Sequence, residues 1–256
     1  MKKFFRFLLI LILIVGGCAA YFFFANGKMM VGVLKSDKEA LSTTLNNSIK
    51  KVHDYGNFNF SYSKENKKTG VTTNSQLLIK FDGENRYFSA EVTTIKGDKT
   101  TNTSYYCEAK GDVATLYMTT GEQKRYSLTS WDKALAEVLT IDYSALVEGD
   151  ILPNYIRDIL ENDRIVAKEK FVEEFQSSKV IFSLKPFYYG AKLSLKNSSS
   201  SISYDISNRG ILRKIEKTTN TLLLDQSETL TINKPGKAVS INSLSDEQKK
   251  EFTILG

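Results

Sequence analysis

The feature that most constrains this fold is an alternation of apolar and polar side chains, with a period of two, along much of the 256-residue chain. In its first half the alternation covers Phe58–Tyr62, Leu77–Phe81, Tyr87–Thr94, Ser104–Ala109 and Val113–Thr119. This period is that of a half-buried strand, whose successive side chains point to opposite faces of a sheet. Short turns containing glycine separate several of these segments. The first half therefore predicts an antiparallel meander.

A second run of alternating segments follows after residue 179. The plausible strands there are Val180–Leu184, Ala191–Leu195, Ile202–Ile206, Ile211–Ile215 and Leu230–Ile232, with turn residues at 197–201 and 208–210. Proline is scarce and no hinge-like segment divides the two runs. We therefore expect residues 31–256 to form a single β-rich domain.

Helical patterns occur before, between and after these strands. Ser36–Glu39 has the form of a capping box, and Leu41, Leu45, Ile49 and Val52 follow at helical spacing. Ser130 is a candidate N-cap for an apolar stripe that runs from Trp131 to Leu139, and we interpret Trp131 as a core residue. Further helical patterns cover residues 145–162, and Ser245 is a candidate cap for a short terminal helix. The predicted class is α+β.

Residues 1–30 predict localisation at a membrane. Lys2, Lys3 and Arg6 precede an uncharged apolar run over Phe7–Ala25. Val15–Cys18 resembles the lipobox of bacterial lipoproteins, which makes Cys18 a candidate for acylation. Taken whole, Phe4–Ala25 is also long enough for an uncleaved signal anchor that spans the bilayer. Both alternatives place residues 31–256 on the extracytoplasmic side of the cell membrane, because the basic residues stay inside.

Composition argues against several classes of function. The net charge is +6, but acids and lysines are interspersed and form no basic stripe, so no nucleic-acid partner is expected. Cys18 and Cys107 are the only cysteines, so no disulfide framework is expected, and Cys107 is interpreted as a buried strand residue. His53 is the sole histidine, which disfavours a metal site or a Ser-His or Cys-His catalytic pair. No nucleotide-binding fingerprint is present, so we predict no enzyme and no cofactor.

Two strand-turn-strand segments resemble those of a known group of proteins. Phe81–Tyr87 and Gly111–Met118, with the hairpin over Ile202–Ile215, resemble segments of the lipoprotein-carrier superfamily. That group includes the outer-membrane lipoprotein carrier and mycobacterial lipid-binding lipoproteins, and this chain is similar to an exported Gram-positive member. The order of anchor, helix, meander, central helices and second strand run matches as well.

This resemblance implies an antiparallel sheet bent into an unclosed half-barrel, with helices across its concave face and an apolar cavity for acyl chains or a hydrophobic peptide. The alternative is that the same side chains form a dry core, since protein interiors are close-packed. The candidate lining residues are Phe58, Phe60, Leu77, Ile79, Leu116, Met118, Phe182 and Leu193 from strands, with Leu135 and Ile156 from helices.

Two functions follow as expectations. The first is a membrane-tethered protein that binds a hydrophobic ligand or an envelope partner without chemistry. The second is a structural or sensory envelope protein that acts only through protein–protein contacts.

Overall fold

The structure, a computed structural model, describes residues 4, 6–20, 38–55, 57–139, 179–185, 190–196, 198–207, 209–233, 235–236 and 239–255. The predicted Ser36 cap, the helical patterns over 145–162 and Ile156 lie outside these residues.

Four helices occur in the described part of the chain. They are α1 (6–20), α2 (Lys38–His53), α3 (Trp131–Val138) and α4 (Asp246–Lys249). The Ser130 side chain accepts a hydrogen bond from the backbone N–H of Lys133 and caps α3, and Ser245 forms a full capping box with Gln248 at α4. Both predicted caps are confirmed.

Helix α1 contributes no buried side chain to the described structure. Every side chain described over residues 6–20 is exposed, including Phe7 and Ile12, which are 65% and 61% exposed. Among the described residues, no helix has both the length and the apolar character needed to cross a membrane. The membrane anchor and the division into residues 1–30 and 31–256 stay predictions.

Within the described ranges, twelve strands form one sheet. They are β1 (Asn57–Asn66), β2 (Val71–Asp82), β3 (Asn85–Lys96), β4 (Lys99–Lys110), β5 (Val113–Thr120), β6 (Gln123–Ser130), β7 (Lys179–Lys185), β8 (Gly190–Lys196), β9 (Ser200–Ser207), β10 (Leu212–Asn220), β11 (Asp225–Asn233) and β12 (Thr253–Ile254).

The sheet is open and almost wholly antiparallel. Its order is β12-β6-β5-β4-β3-β2-β1-β11-β10-β9-β8-β7, and only β12 runs parallel to its neighbour. Two hairpin series, β1 to β6 and β7 to β11, therefore meet where β1 pairs with β11. This confirms the unclosed antiparallel sheet; the half-barrel curvature stays a prediction.

The core lies on one face of this sheet. Leu45, Ile49 and Val52 of α2 are at most 1% exposed, and α2 packs on β10. Helix α3 packs on β4, β5 and β6. Buried residues from both helices and both hairpin series belong to one hydrophobic cluster, so the helices cover the same face.

Two details differ from the sequence prediction. Strand β6 was not predicted, because its sequence is mostly polar and leaves Leu128 69% exposed. The predicted alternation over Ile211–Ile215 is wrong at its start, where Ile211 and Leu212 are both buried. A register shift between Leu212 and Lys214 disrupts the period of two there, as a β-bulge does.

Candidate functional site

The predicted lining residues come together on the buried face of the sheet. Phe58 lies opposite Ile79, and Phe60 lies opposite Leu77, in the β1–β2 pair. Side chains two residues apart on a strand share a face, so both pairs point to the helices. Seven candidates belong to the core and are at most 3% exposed: Phe58, Phe60, Leu77, Ile79, Leu116, Leu135 and Leu193.

The remaining candidates are Met118, Phe182, Ile156 and the predicted lipidation site Cys18. Met118 shares the face of Leu116 but is only half-buried, outside the core cluster. Phe182 lies opposite Leu193 in the β7–β8 pair, and its side chain is not described. Ile156 is outside the described residues, and Cys18 is exposed on α1.

An aromatic cluster joins α3 to this face. The Trp131 ring lies 5.4 Å from that of Phe88 in an edge-to-face arrangement, and 6.1 Å from that of Phe81. Phe81 in turn meets Phe58 edge-to-face at 5.7 Å. Such pairs stabilise beyond their buried area. Trp131 is 2% exposed, which confirms its interpretation as a core residue.

Trp131 carries a polar group that this packing leaves without a partner. In the described structure, its buried indole N–H has no hydrogen-bond acceptor. Buried polar groups are nearly always paired, because an unpaired one costs about 1–3 kcal/mol. Among the described residues of the aromatic cluster, the indole N–H is the one buried donor without an acceptor.

A cation lies beside the same indole. The Arg86 guanidinium carbon lies 5.9 Å from the centre of the Trp131 ring, and Arg86 is half-buried. Arg86 is two residues before Phe88, so it lies on the helix-covered face of β3. Among the described residues, no carboxylate lies within ion-pair distance of it. The aromatic cluster thus has a positively charged group at its edge.

Buried polar residues lie at the other end of this face. The Tyr62 hydroxyl donates to Glu228 Oε2 at 3.3 Å, and the Gln226 side-chain amide donates to Glu228 Oε1. Ser75 Oγ donates to the Val138 carbonyl at 3.3 Å. Burial, together with the nearby Glu228 carboxylate, raises the pKa of Tyr62 well above its usual range. The Tyr62 phenol is therefore a neutral hydrogen-bonding group.

Two residues were considered for chemistry, and one of them, Cys107, belongs to the hydrophobic core and lies opposite Phe88 in the β3–β4 pair. Cys107 is fully buried, as predicted, and burial raises the pKa of its thiol. His53 is the last residue of α2. Within the described ranges, no group of three or more His, Cys, Asp or Glu residues is placed to hold a metal ion. The absence of enzymatic activity and of a cofactor stays a prediction.

Sequence reasoning missed Arg86, the Tyr62–Glu228 pair and the free donor of Trp131. Arg86 has the same strand parity as Phe88 and Ala90, so extending the alternation by one position would have placed it on the buried face. The Tyr62–Glu228 contact joins residues 166 positions apart, and no local pattern predicts it.

Fold and site together define a class: an open antiparallel sheet with helices and a continuous apolar core on one face. The chain is similar to the crystal structure of LprF from Mycobacterium bovis, with 11% identity and a TM-score of 0.47 over 79% of this chain and 95% of that chain. This likeness concerns the fold alone. The sequence matches no protein-family model and no curated protein.

Proposed function

We propose that this chain is a membrane-tethered extracytoplasmic protein, without enzymatic activity, that binds an anionic acyl-chain lipid between its sheet and its helices. The observation that carries the proposal is the pairing of two groups at one end of the apolar face. They are the buried Trp131 N–H, which has no acceptor in the described structure, and the adjacent Arg86 guanidinium.

Each part of such a ligand has a counterpart among these residues. Acyl chains gain about 0.8 kcal/mol for each CH₂ group that leaves water, and the side chains of Phe58, Ile79 and Leu116 offer an apolar surface. The Arg86 guanidinium matches a carboxylate or phosphate, which it can bind through two parallel hydrogen bonds. An ester carbonyl near the head group would accept from Trp131 Nε1. Ligand sites combine a mainly apolar lining with a few such polar groups.

The core residues are close to fully buried, so ligand entry requires the helices to move from the sheet. The aromatic cluster favours α3 for this movement. Trp131 and Leu135 of α3 lie over the face that the ligand would occupy, and α3 has only eight residues. We propose that the ligand replaces contacts between α3 and β3.

Exposed apolar side chains on α1 support the tether. Phe7, Ile10 and Leu13 are each at least 54% exposed, so the described protein does not cover them. A bilayer would cover these side chains. The protein would be held there either by α1, as part of an uncleaved anchor, or by an acyl group on Cys18. Growing cells with a labelled fatty acid separates these forms, because only the lipidated form incorporates label that Cys18→Ala abolishes.

The edge of the sheet supports the second candidate, contact with an envelope protein. On its outer side β6 pairs with β12 at Arg125 and Tyr126 alone, within the part of the chain that the structure describes. Leu128, further along β6, is 69% exposed. An incompletely paired edge strand can accept a strand from another protein. Crosslinking in intact cells that yields one stoichiometric protein partner would favour this function.

Lipid extraction from the purified full chain, followed by mass spectrometry, tests the ligand proposal. We expect an anionic acyl lipid in stoichiometric amount. Arg86→Gln should reduce that amount about tenfold or more, because a hydrogen bond to a charged group contributes about 1.5–3 kcal/mol. Arg213→Gln is the matched control, since Arg213 is exposed on β10. A lipid-free protein that takes up no anionic lipid on incubation would contradict the proposal.

A further inference from the structure

The turn between β10 and β11 exposes two leucines almost completely. Leu222 is 98% exposed and Leu223 is 91% exposed. The turn itself is well formed, because the backbone N–H of Thr221 donates to the Leu224 carbonyl at 2.7 Å and the N–H of Leu224 donates to Thr221 Oγ1 at 3.0 Å. The two leucines thus occupy the centre of a closed turn and point into solvent.

Turn formation does not explain these leucines. Two-residue hairpin loops favour glycine, asparagine and aspartate, whose backbones tolerate the required conformations. Several other hairpins of this chain follow the rule, with Gly83 and Gly97 at positive φ. Leucine at both central positions loses that advantage and gains no burial in the protein. Burial of the leucines against a second surface would provide the hydrophobic stabilisation that they do not gain within the protein.

The neighbouring β1–β2 turn places positive charge beside this apolar tip. The backbone N–H of Lys67 donates to the Asp225 carbonyl at 2.9 Å, which holds the two turns together. Lys68 Nζ donates to the Thr221 carbonyl at 3.0 Å and also to the Leu222 carbonyl. Lys67 and Lys68 are both exposed, so the β1–β2 turn carries two positive charges next to the turn that holds the leucines.

More lysines lie at the same end of the sheet. Val71, which begins β2, lies opposite Lys96, which ends β3. The β3–β4 turn, with Lys96 and Lys99 both exposed, therefore follows the β1–β2 turn along this end. Asp98 offsets part of this charge. The end of the sheet thus combines an apolar tip with a basic margin.

We propose that the Leu222–Leu223 tip inserts into the anionic surface of a lipid bilayer, with Lys67 and Lys68 at the level of the head groups. Leucines enter the boundary between head groups and acyl chains, while lysines bind anionic head groups. The combination favours a bilayer over an apolar groove in a protein, because positive charge lies beside the tip on the side of the β1–β2 turn. This contact is separate from α1 and from the ligand site.

Fluorescence of the full chain in vesicles tests the insertion. Trp131 is the chain's one tryptophan, so Trp131→Phe gives a background in which a new tryptophan reports alone. Leu222→Trp in this background should be quenched in vesicles of phosphatidylglycerol with brominated acyl chains. Val113→Trp is the matched control, because Val113 is 71% exposed at the opposite end of the sheet. Quenching of Leu222→Trp no greater than that of Val113→Trp would overturn the proposal and point to a protein partner.

Two further variants test the individual groups. Leu223→Ser should reduce the inserted fraction of Leu222→Trp about tenfold, the effect of removing one buried leucine. Lys67→Gln should reduce it about fivefold in phosphatidylglycerol and leave it unchanged in phosphatidylcholine. Lys110→Gln, at the opposite end, should have no effect. Equal insertion into both lipids would overturn the role of the lysines. Because Trp131 is absent from this background, quenching at the site between sheet and helices does not contribute to the measured signal.

Discussion

The Tyr62 hydroxyl donates to Glu228 Oε2 at 3.3 Å and joins residues 166 positions apart in the chain. Tyr62 lies on β1 and Glu228 on β11, the two strands at which the hairpin series meet. Both residues are at most 8% exposed. This buried polar contact therefore lies at the junction of the N-terminal and C-terminal parts of the sheet.

Removing the Tyr62 hydroxyl should destabilise the fold. Tyr62→Phe leaves Glu228 with one hydrogen bond fewer in a buried environment, at an expected cost of about 1.5–3 kcal/mol in the free energy of unfolding. Urea denaturation measures this change. Tyr87→Phe is the control, because Tyr87 is half-buried on the opposite face of β3, and it should cost less than about 0.5 kcal/mol. Equal losses in the two variants would show that the Tyr62–Glu228 bond contributes nothing.

Stability should fall at alkaline pH because buried tyrosines resist ionisation. Burial and then the charge of Glu137 raise the pKa of Tyr105 to about 12, and burial raises that of Tyr62 further. In the unfolded chain tyrosine ionises near pH 10, so the stabilisation is complete below pH 10 and is lost as pH rises from there towards the raised pKa. Tyr105→Phe should flatten the fall in unfolding free energy between about pH 10 and 12. An unchanged slope would contradict this account.

Glu216 should contribute to stability against acid. Hydrogen bonds from Lys214, and then from Lys192 at 3.0 Å, lower the pKa of Glu216 to about 2. The stabilisation by Glu216 is fully present above the pKa of glutamate in the unfolded chain, near 4.3, and is lost as pH falls through about 2. Glu216 is 36% exposed, so we expect about 0.5–1 kcal/mol. Glu216→Gln should remove this acid-dependent part, as measured by denaturation at pH 2 to 6, whereas Glu65→Gln, at an exposed site, should not.

The C-terminal segment should stabilise the face of the sheet opposite to the helices. Phe252 meets Tyr117 edge-to-face at 5.2 Å, and Lys249 Nζ binds both carboxylate oxygens of Glu108 at 2.8 and 2.9 Å. Phe252→Ala should lower the free energy of unfolding by about 1–3 kcal/mol through lost ring contact and burial. Leu255→Ala, at a residue that is 39% exposed, should have a smaller effect. Thermal unfolding of both variants measures the two losses. The reverse order would contradict the packing described for Phe252.

Much of this fold follows from local sequence pattern. The alternation of Phe58, Phe60 and Tyr62 requires one buried face, and the stripe from Trp131 to Leu139 requires a helix on that face. Both are confirmed, because burial on one side is a property that each segment carries by itself. Seven of the ten predicted lining residues consequently share one hydrophobic cluster.

The parts that could not be predicted depend on contacts between distant segments. Strand β6 has few apolar residues and is held by its pairing with β5. The bulge after Leu212 depends on the partner strand β9. Arg86 acquires its place beside Trp131 only when β3 and α3 pack together. Such features depend on which elements meet, and local periodicity does not determine this.

Quenching of Trp131 by a bound acyl chain is the most direct test of the proposed lipid site. In the full chain Trp131 is the sole tryptophan and is 2% exposed, so its emission reports on the buried face. Titration with a fatty acid brominated along its chain should quench this emission saturably, and Arg86→Gln should weaken the apparent affinity about tenfold or more. Arg213→Gln should leave it unchanged. Emission that stays constant over the titration, while an unbrominated anionic lipid also fails to bind, would contradict a lipid site between sheet and helices.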